Sequence, residues 1–358
     1  MRVALAGLRG ALAVCLLAVL LALPMPSAGQ ATCSVASIEE FGGAPRTTGA
    51  PRRPEVHLTA GGSYCLADDI QQRKLLDPRT GHEMRTGGGD ALILIGTDDI
   101  RLDLGGHTVA NRRALGYTLV KHYRYEPGRR QTHWIRGTHV RNGRLLSPGS
   151  RGIGLRLTSA GMYAPDGFGA LAAIPDGRTA EDVFAETAHL VEGLDIDAGH
   201  RAVLIDGKRN VIRNNRIVVD SATAIVAQGP GVVIENNVIE VRNDLSGLSD
   251  YARGVEAKLP FPIRLIQADG AIVRNNEIRL VDPAARGVLP AAIELLHSAD
   301  VLVESNRFEG VGSAVAADLA SSYRESGSQL RLCGAGKPRF LPPAEAAPSD
   351  LPLRPACR

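Results

Sequence analysis

The chain has 358 residues, with 41 Lys and Arg against 38 Asp and Glu and a formal net charge of +3. This length allows one large domain or two small ones, and the nearly balanced charge gives no general electrostatic reason to bind nucleic acid. Aromatic residues at 4% together with 40 glycines favour many tight turns and a core of small aliphatic side chains.

The first predicted element is a secretory signal peptide at residues 1–31. Arg2 and Arg9 precede an apolar run over residues 11–23, and prolines and small residues follow it. A membrane anchor is the alternative, but the run is short for a span, which needs about 20 apolar residues. Removing the signal takes away two cations and no acid, which leaves a formal charge of +1. We therefore expect a periplasmic or extracellular protein with no membrane contact after cleavage.

Residues 32–90 are predicted to cover the N-terminal end of the fold. Four cysteines lie outside the signal peptide. An even number in an exported protein favours disulfides, and three pairings of four cysteines are possible. No two cysteines have the spacing of a zinc site. We predict the pairs Cys33–Cys65 and Cys333–Cys357, each joining one irregular end of the chain.

Four segments in the second half of the chain repeat one pattern of strand, asparagine turn and strand. Another short strand precedes each of them, and the first two asparagine pairs are 22 residues apart. Three short strands with a period in the low twenties are typical of one coil of a parallel β-helix. The four segments are residues 210–217 (NVIRNNRI), 232–239 (VVIENNVI), 271–278 (AIVRNNEI) and 301–308 (VLVESNRF).

The same pattern, less regular, extends upstream and predicts about seven coils over residues 91–310, with a partial eighth at 311–318. We assign the β-helix to residues 91–320 and a proline-rich C-terminal strap to residues 321–358. One asparagine recurs at the same place in each repeat, and we expect a structural ladder of side-chain amides there rather than a site. These residues are Asn215, Asn237, Asn276 and Asn306.

Two upstream motifs carry a family resemblance. Residues 61–70 read GGSYCLADDI, residues 100–109 read IRLDLGGHTV, and the asparagine repeats follow. Over roughly residues 61–310 the chain resembles bacterial right-handed parallel β-helix repeat proteins of the pectin-lyase-like superfamily. The resemblance implies an all-β solenoid with irregular, capped ends. That superfamily includes lyases, hydrolases, epimerases, esterases and proteins without a known reaction, so function has to be argued from a site.

Three insertions interrupt the coils, at residues 110–132, 158–188 and 243–262. Long loops on a regular scaffold commonly carry function. The first and third follow the third strand of their coils, so we expect them along one edge of the first sheet. The resemblance implies that loops at this edge wall a sugar-binding groove, and the second insertion falls at a different turn.

The segment 112–144 is strongly basic and aromatic, with nine cations and one acid. Aromatic rings stack on sugar faces and Arg pairs with carboxylates, which favours an acidic polysaccharide as ligand. Single-stranded nucleic acid is a chemical alternative, and a loop packed on the coil with solvated charges is another. The residues assigned to substrate binding are Tyr123, Arg124, Tyr125, Arg129, Arg130, Trp134 and, from the third insertion, Arg253.

Alignment from the turns defines two outward rows on the first sheet. One row is predicted to hold Leu204, Ile225, Arg264 and Glu294. The other is predicted to hold Gly207, Gln228, Gln267 and His297. Neighbouring coils lie about 4.8 Å apart, so Arg264 and Glu294 should touch.

The third insertion would add Glu256 and Lys258 to this patch. A β-elimination needs a base at C5 of a uronate and a cation that neutralises its carboxylate. We assign Lys258 or His297 as base, Arg264 as neutraliser and Glu294 as the residue that orients Arg264. The alternative is an ordinary exposed salt bridge, which contributes little to stability.

Asp195 and Asp197 face outward on one strand, a pair that could support glycoside hydrolysis, with a solvated face of mixed charge as the alternative. No cofactor is predicted; calcium would suit a uronate site, but no ligand set for it is identifiable. The leading hypothesis is a monomer that binds, and cleaves or epimerises, an acidic polysaccharide. The alternative is a non-catalytic envelope scaffold or adhesin-like rod.

Overall fold

The computed structural model describes residues 34–35, 56–71, 91–111, 118–122, 134–148, 152–159, 174, 177–244, 246, 260–281 and 289–331. Within these ranges the protein is all-β, with one short helix, α1 (Ala180–Val183). The described strands pair in parallel throughout. The all-β prediction is therefore confirmed.

We number the strands in chain order. The first thirteen are β1 (Ser34–Val35), β2 (Val56–Leu58), β3 (Gly62–Cys65), β4 (Ile70–Gln71), β5 (Ala91–Ile95), β6 (Ile100–Asp103), β7 (Thr108–Ala110), β8 (Thr118–His122), β9 (His139–Ser147), β10 (Ile153–Leu157), β11 (Leu190–Ala198), β12 (Arg201–Asp206) and β13 (Val211–Arg213). The remaining thirteen are β14 (Arg216–Val219), β15 (Ile225–Gln228), β16 (Val233–Glu235), β17 (Val238–Val241), β18 (Ile263–Ile266), β19 (Ile272–Arg274), β20 (Glu277–Leu280), β21 (Ile293–Leu296), β22 (Val301–Glu304), β23 (Arg307–Glu309), β24 (Val315–Ala317), β25 (Tyr323–Ser326) and β26 (Gln329–Arg331).

The strands form two long parallel sheets. The nine-stranded sheet runs in the order β2, β5, β8, β10, β12, β15, β18, β21 and β24, and the other sheet has 17 strands. From β2 onward, each strand of the nine-stranded sheet is followed along the chain by one or two strands of the larger sheet, after which the chain returns. This order is consistent with a β-helix solenoid.

Columns of aliphatic side chains fill the space between the sheets. Ile196, Ile217, Ile239, Ile278 and Phe308 are register partners on successive strands, and each is fully buried. Side chains alternate along a strand, so the polar neighbours of this column face outward. The alternation read from the asparagine repeats therefore predicted the core correctly.

The asparagine ladder is confirmed. The side-chain oxygen of Asn237 accepts hydrogen bonds from the backbone N–H and the side-chain amide of Asn215, both at 3.0 Å. Asn276 does the same for Asn237, and Asn306 for Asn276. Each of these amides also donates to a backbone carbonyl, as Asn237 does to Ile212 at 3.0 Å. The ladder satisfies polar groups inside the bends that would otherwise be buried without partners.

Paired strands extend beyond the range 91–320 at both ends. Strands β2–β4 lie in the predicted cap and pair with β5–β7, while β25 and β26 lie in the predicted strap and pair with β22 and β23. Cys65, on β3, is disulfide-bonded, but Cys33, Cys333, Cys357 and the predicted signal peptide lie outside the described residues. The disulfides Cys33–Cys65 and Cys333–Cys357 therefore stay predictions. No helix within the described ranges is long and apolar enough to span a membrane.

The first predicted insertion is not a single loop. Residues Thr118–His122 form β8, which pairs with β5 and β10. The run was overlooked because it has only five residues and lies between basic and aromatic segments. Residues 123–133 therefore leave the sheet from the end of β8, as the second insertion does from β10, whereas the third follows β17. The prediction that the first insertion follows the third strand of its coil, as the third insertion does, holds for residues 112–117, which follow β7. Residues 123–133 follow β8 instead, and they lie outside the described residues.

Candidate functional site

The outer face of the nine-stranded sheet carries the predicted patch. Register pairing aligns Leu204, Val226, Arg264, Glu294 and Ala316 across strands β12 to β24. All five are buried. This row is the one predicted from the turns, with a single exception on β15.

On β15 the predicted alignment was wrong by one residue. Ile225 pairs with Ile263 and belongs to the core, and Gln228 pairs with Ile266. The turn after β15 begins at Gly229, whose N–H donates to the carbonyl of Ile266. The prediction took Gln228 as the first residue of the turn and so placed β15 one residue out of register. A shift of one residue exchanges the inward and outward faces of a strand.

Arg264 and Glu294 form an ion pair between Nε and Oε2, as predicted. The pair is not an exposed salt bridge, because the two residues are 2% and 1% exposed. Burial raises the pKa of Glu294, Asp318 raises it further, and the guanidinium of Arg264 lowers it. A buried pair of this kind is costly to break, because either partner alone would be an uncompensated charge.

His297 lies beside this pair and has a partner that sequence reasoning missed. Its Nδ1 is 2.8 Å from Oδ2 of Asp318, and its side chain is 51% exposed. The Asp318 carboxylate also accepts the backbone N–H of His297 at 3.0 Å and the hydroxyl of Ser321 at 2.6 Å. Ala317 pairs with Leu295, so Asp318 follows β24 opposite Leu296, and neither predicted row would have included it.

The contact with Asp318 selects one form of the imidazole. A carboxylate 2.8 Å from Nδ1 holds the proton on that nitrogen, so Nε2 of neutral His297 keeps its lone pair for an incoming proton. The backbone of His297 is left-handed, with φ +49°, and Gln267 on the preceding strand has φ +50°. Asp318 and this backbone conformation together fix the direction of the ring.

Trp134 is the one predicted substrate-binding residue that the structure describes. It is partly buried and meets Phe184 edge to face, with ring centroids 6.0 Å apart. Part of the indole is therefore committed to packing next to α1. The remaining predicted binding residues and two of the predicted catalytic residues lie outside the described ranges: Tyr123, Arg124, Tyr125, Arg129, Arg130, Arg253, Glu256 and Lys258.

The predicted carboxylate pair on β11 is engaged by cations. Asp195 bonds Arg216 at 3.0 Å and lies 3.4 Å from Arg144, while Asp197 accepts from Arg242 at 3.2 Å. Arg242 also bonds Asp220, at 2.8 Å. The face of mixed charge is confirmed, and it argues against a hydrolase site at Asp195 and Asp197.

A second buried carboxyl group lies on the outer face at Asp206, which sequence reasoning did not assign to a site. It is 1% exposed, and burial raises its pKa to about 7, although hydrogen bonds from Ser159 and the charge of Arg156 lower it. Next to it along the sheet, Gln228 donates to Gln267 at 3.1 Å. The carboxyl ends of β12, β15, β18 and β21 therefore form a polar edge.

Among the described residues, no group of three or more His, Cys, Asp or Glu is arranged to hold a metal ion. No family model, curated protein or solved structure matches this chain. The side chains along the nine-stranded sheet are therefore the features that point to a function.

Proposed function

We propose that this protein is an exported, right-handed parallel β-helix of the pectin-lyase-like type that binds an acidic, uronate-containing polysaccharide. The proposal includes a signal peptide at residues 1–31, about seven coils over residues 91–310, capped ends, and a monomeric mature protein. The polysaccharide would lie along the edge of the nine-stranded sheet at which β21 and β24 end, where His297 is half exposed. Its carboxylates would meet the cations of the insertions.

One observation carries the proposal. His297 and Asp318 form a pair just beyond the ends of the neighbouring strands β21 and β24, with the imidazole half exposed and the carboxylate partly buried. Asp318 also acts electrostatically on Glu294 of the buried pair Arg264–Glu294. An imidazole with its Nδ1 proton held by a carboxylate is an arrangement suited to general base catalysis. The predicted base at His297 thus has the orienting group that such a base needs.

We assign His297 as the base that removes the C5 proton of a uronate. In a β-elimination the C5 proton moves to Nε2, the electron pair of the C5–H bond forms the double bond between C4 and C5, and the C4–O4 bond breaks, with the leaving O4 taking a proton from water. In an epimerisation the same carbanion is reprotonated from the opposite face, a role for Lys258. Because Arg264 is buried and bonded to Glu294, this pair supports the site. Neutralising the uronate carboxylate then falls to Arg253 and the basic segment 123–133.

The second candidate function is a non-catalytic envelope scaffold or adhesin-like rod. It is favoured by the way charged groups join successive coils, as Asp195 does between Arg144 and Arg216. Together with the asparagine ladder, such pairs stiffen the solenoid along its axis. A rod needs no base, so the state of His297 separates the two candidates.

The test is turnover of pectate, alginate and glycosaminoglycans, with and without calcium, followed by the absorbance of unsaturated uronate. Exchange of the C5 proton in D₂O, followed by NMR, detects epimerisation. The variant His297→Asn should lose on the order of 10²–10⁴-fold in rate, and asparagine tolerates the left-handed backbone. The matched control is Gln267→Asn, at the equivalent place one strand earlier, and it should retain activity.

The proposal would be overturned if the protein neither turns over nor binds any of the polyuronates. Binding without turnover or proton exchange would favour the rod. Full activity in His297→Asn would remove His297 as base and leave Lys258 as the base to test.

A further inference from the structure

Five aliphatic side chains form a row on the outer surface of the 17-stranded sheet. Register pairing aligns them on β11, β13, β16, β19 and β22, and each is partly exposed. The next residue on each strand is fully buried, so the row points away from the core, because side chains alternate along a strand. We call this row the apolar stripe; it consists of Leu190, Val211, Val233, Ile272 and Leu302. Four strand spacings of about 4.8 Å make it about 19 Å long.

A row of charges flanks the apolar stripe on one side. It lies two residues further along the same strands and consists of Glu192, Arg213, Glu235, Arg274 and Glu304. Neighbours in this row are ion-paired, since Arg213 bonds Glu192 at 2.7 Å and Arg274 bonds Glu235 at 2.6 Å. Because the signs alternate, a polymer that carries charges of a single sign meets as much repulsion as attraction here.

The other side of the apolar stripe is more open. The turns that precede β16 and β19 carry the left-handed glycines Gly231 and Gly270 two residues before the stripe. A Cβ on Gly270 would meet no atom within 4 Å. The five stripe residues include no aromatic ring, and aromatic rings are the groups that stack on sugar faces. A chain with aliphatic side chains and charges of both signs therefore suits this surface better than a polysaccharide does.

Residues 338–355 have the composition that this surface requires. They follow β26 in the sequence and lie outside the described residues. They include the apolar Phe340, Leu341, Leu351 and Leu353, together with two cations and two acids. Six of them are prolines, which lack the N–H that pairing with the open edge of a sheet needs. The segment is therefore suited to lie on a sheet face and not to extend the sheet.

The chain is also long enough to return to the apolar stripe. Arg324 on β25 is the register partner of Leu302 and so continues the row of the stripe. It lies seven residues before Arg331, where β26 ends, so the two are at most about 25 Å apart. Residues 332–338 can span the same distance. An extended proline-rich chain then advances about 3.1 Å per residue, so about six residues cover the stripe.

We propose that the apolar stripe is the docking surface for residues 338–355 of the same chain, which run back along the side of the solenoid. Their leucines and prolines cover the aliphatic row and remove it from water. Their two cations and two acids lie beside the alternating charges. Covalent attachment gives the segment an effective concentration in the millimolar range, so a shallow surface is sufficient. This docking does not depend on the proposed polysaccharide function.

Photo-crosslinking in the full-length protein tests the docking. Val233→benzoylphenylalanine places the probe on the central residue of the apolar stripe. After irradiation, reduction and trypsin digestion, the probe should be joined to the peptide that begins at Phe340. The matched control is the same replacement at Val238, which is 38% exposed and lies beyond the asparagine bend on β17. The control should not yield this product.

Capture of a different segment, of a second copy of the chain or of no peptide by the Val233 probe would overturn the proposal. Equal capture of the Phe340 peptide by the two probes would also overturn it, because contact would then not be specific to the stripe. These outcomes do not require any variant with a charge on the stripe to fold.

Trypsin cleavage of the Arg339–Phe340 bond in the otherwise intact protein gives a second test. Val233→Asp puts a charge in the middle of the apolar stripe, so the segment should detach and this bond should be cleaved about tenfold faster. Val238→Asp should leave the rate unchanged, and both variants should keep the circular dichroism of the wild type. Equal cleavage rates in the two variants would overturn the docking. Neither test measures polysaccharide binding, so the two proposals fail separately.

Discussion

Replacing Asn237 with leucine should destabilise the fold without touching the outer face of the nine-stranded sheet. Asn237 is 1% exposed. Its side chain accepts two hydrogen bonds from Asn215 and donates to Ile212 and Asn276, all at 3.0 Å. Leucine can make none of these bonds. The backbone N–H of Asn215 then loses its acceptor inside a buried bend.

The expected loss can be built from these contacts. A buried polar group without a partner costs about 1–3 kcal/mol, and each further hydrogen bond contributes about 0.5–1.5 kcal/mol net. For one orphaned N–H and three lost amide bonds, the free energy of unfolding should fall by roughly 2.5–7.5 kcal/mol. Domains are typically stable by about 5–15 kcal/mol, so the variant should fold but unfold at clearly lower urea.

The assay is urea unfolding, followed by circular dichroism and by the fluorescence of Trp134. Agreement of the two transitions is required, because long repeat arrays can lose two-state behaviour. The control is the adjacent Asn236→Gly: Asn236 is exposed and has φ +55°, which glycine adopts freely. It should change stability by less than about 1 kcal/mol. An Asn237→Leu variant as stable as this control would refute the structural role of the ladder.

Three further predictions concern other buried positions. A Cβ on Gly229 (φ +115°) would lie 2.5 Å from a backbone carbonyl oxygen, so Gly229→Ala should lower the melting temperature strongly. The control is Gly270→Ala: Gly270 is also left-handed, but a Cβ there meets no atom within 4 Å, and the change should cost about 1–2 kcal/mol. Equal effects of the two substitutions would contradict the steric argument. Burial lowers the pKa of His189 from 6.5 to about 3, so the folded state keeps this imidazole neutral. The free energy of unfolding should therefore fall as pH drops below 6.5, by up to about 5 kcal/mol near pH 3. If His189→Gln loses as much stability on acidification as the wild type, this explanation is contradicted. Glu294→Leu should lower the free energy of unfolding by about 3–5 kcal/mol, because Arg264 loses its buried carboxylate partner. Adding Arg264→Met should recover part of that loss. Strictly additive losses in a double-mutant cycle would contradict the coupling of the two side chains.

Most of the fold could be predicted because the repeat carries its own alignment. Ile217 and Ile239 face the core and Asn215 and Asn237 face the bend, and each recurs at a fixed spacing. β8 could not be found in this way, because it has no asparagine turn to anchor it and its five residues form a mixed apolar and basic run. Local pattern was sufficient only where each coil repeated it.

The candidate site was predictable only in part. Arg264 and Glu294 were correctly placed in contact because parallel strands in register bring equivalent positions together. Their burial was not predictable, since it depends on what covers the outer face and not on the strands themselves. Asp318 was missed because it lies beyond the end of β24, and the carboxyl of Asp206 was missed because its partner Ser159 is 47 residues away in sequence.

The asparagine bend has a constant length that the other bends do not share. In the five strand pairs from β13–β14 to β25–β26, two residues always separate the strands that flank this bend. The predicted insertions all follow other strand ends. One extra residue at this bend would displace an amide from its neighbours above and below. Foreign loops can therefore be inserted at the other two bends without altering the spacing of successive strands, because the asparagine bend keeps that spacing constant. New binding specificities can arise on this scaffold by exchanging loops alone.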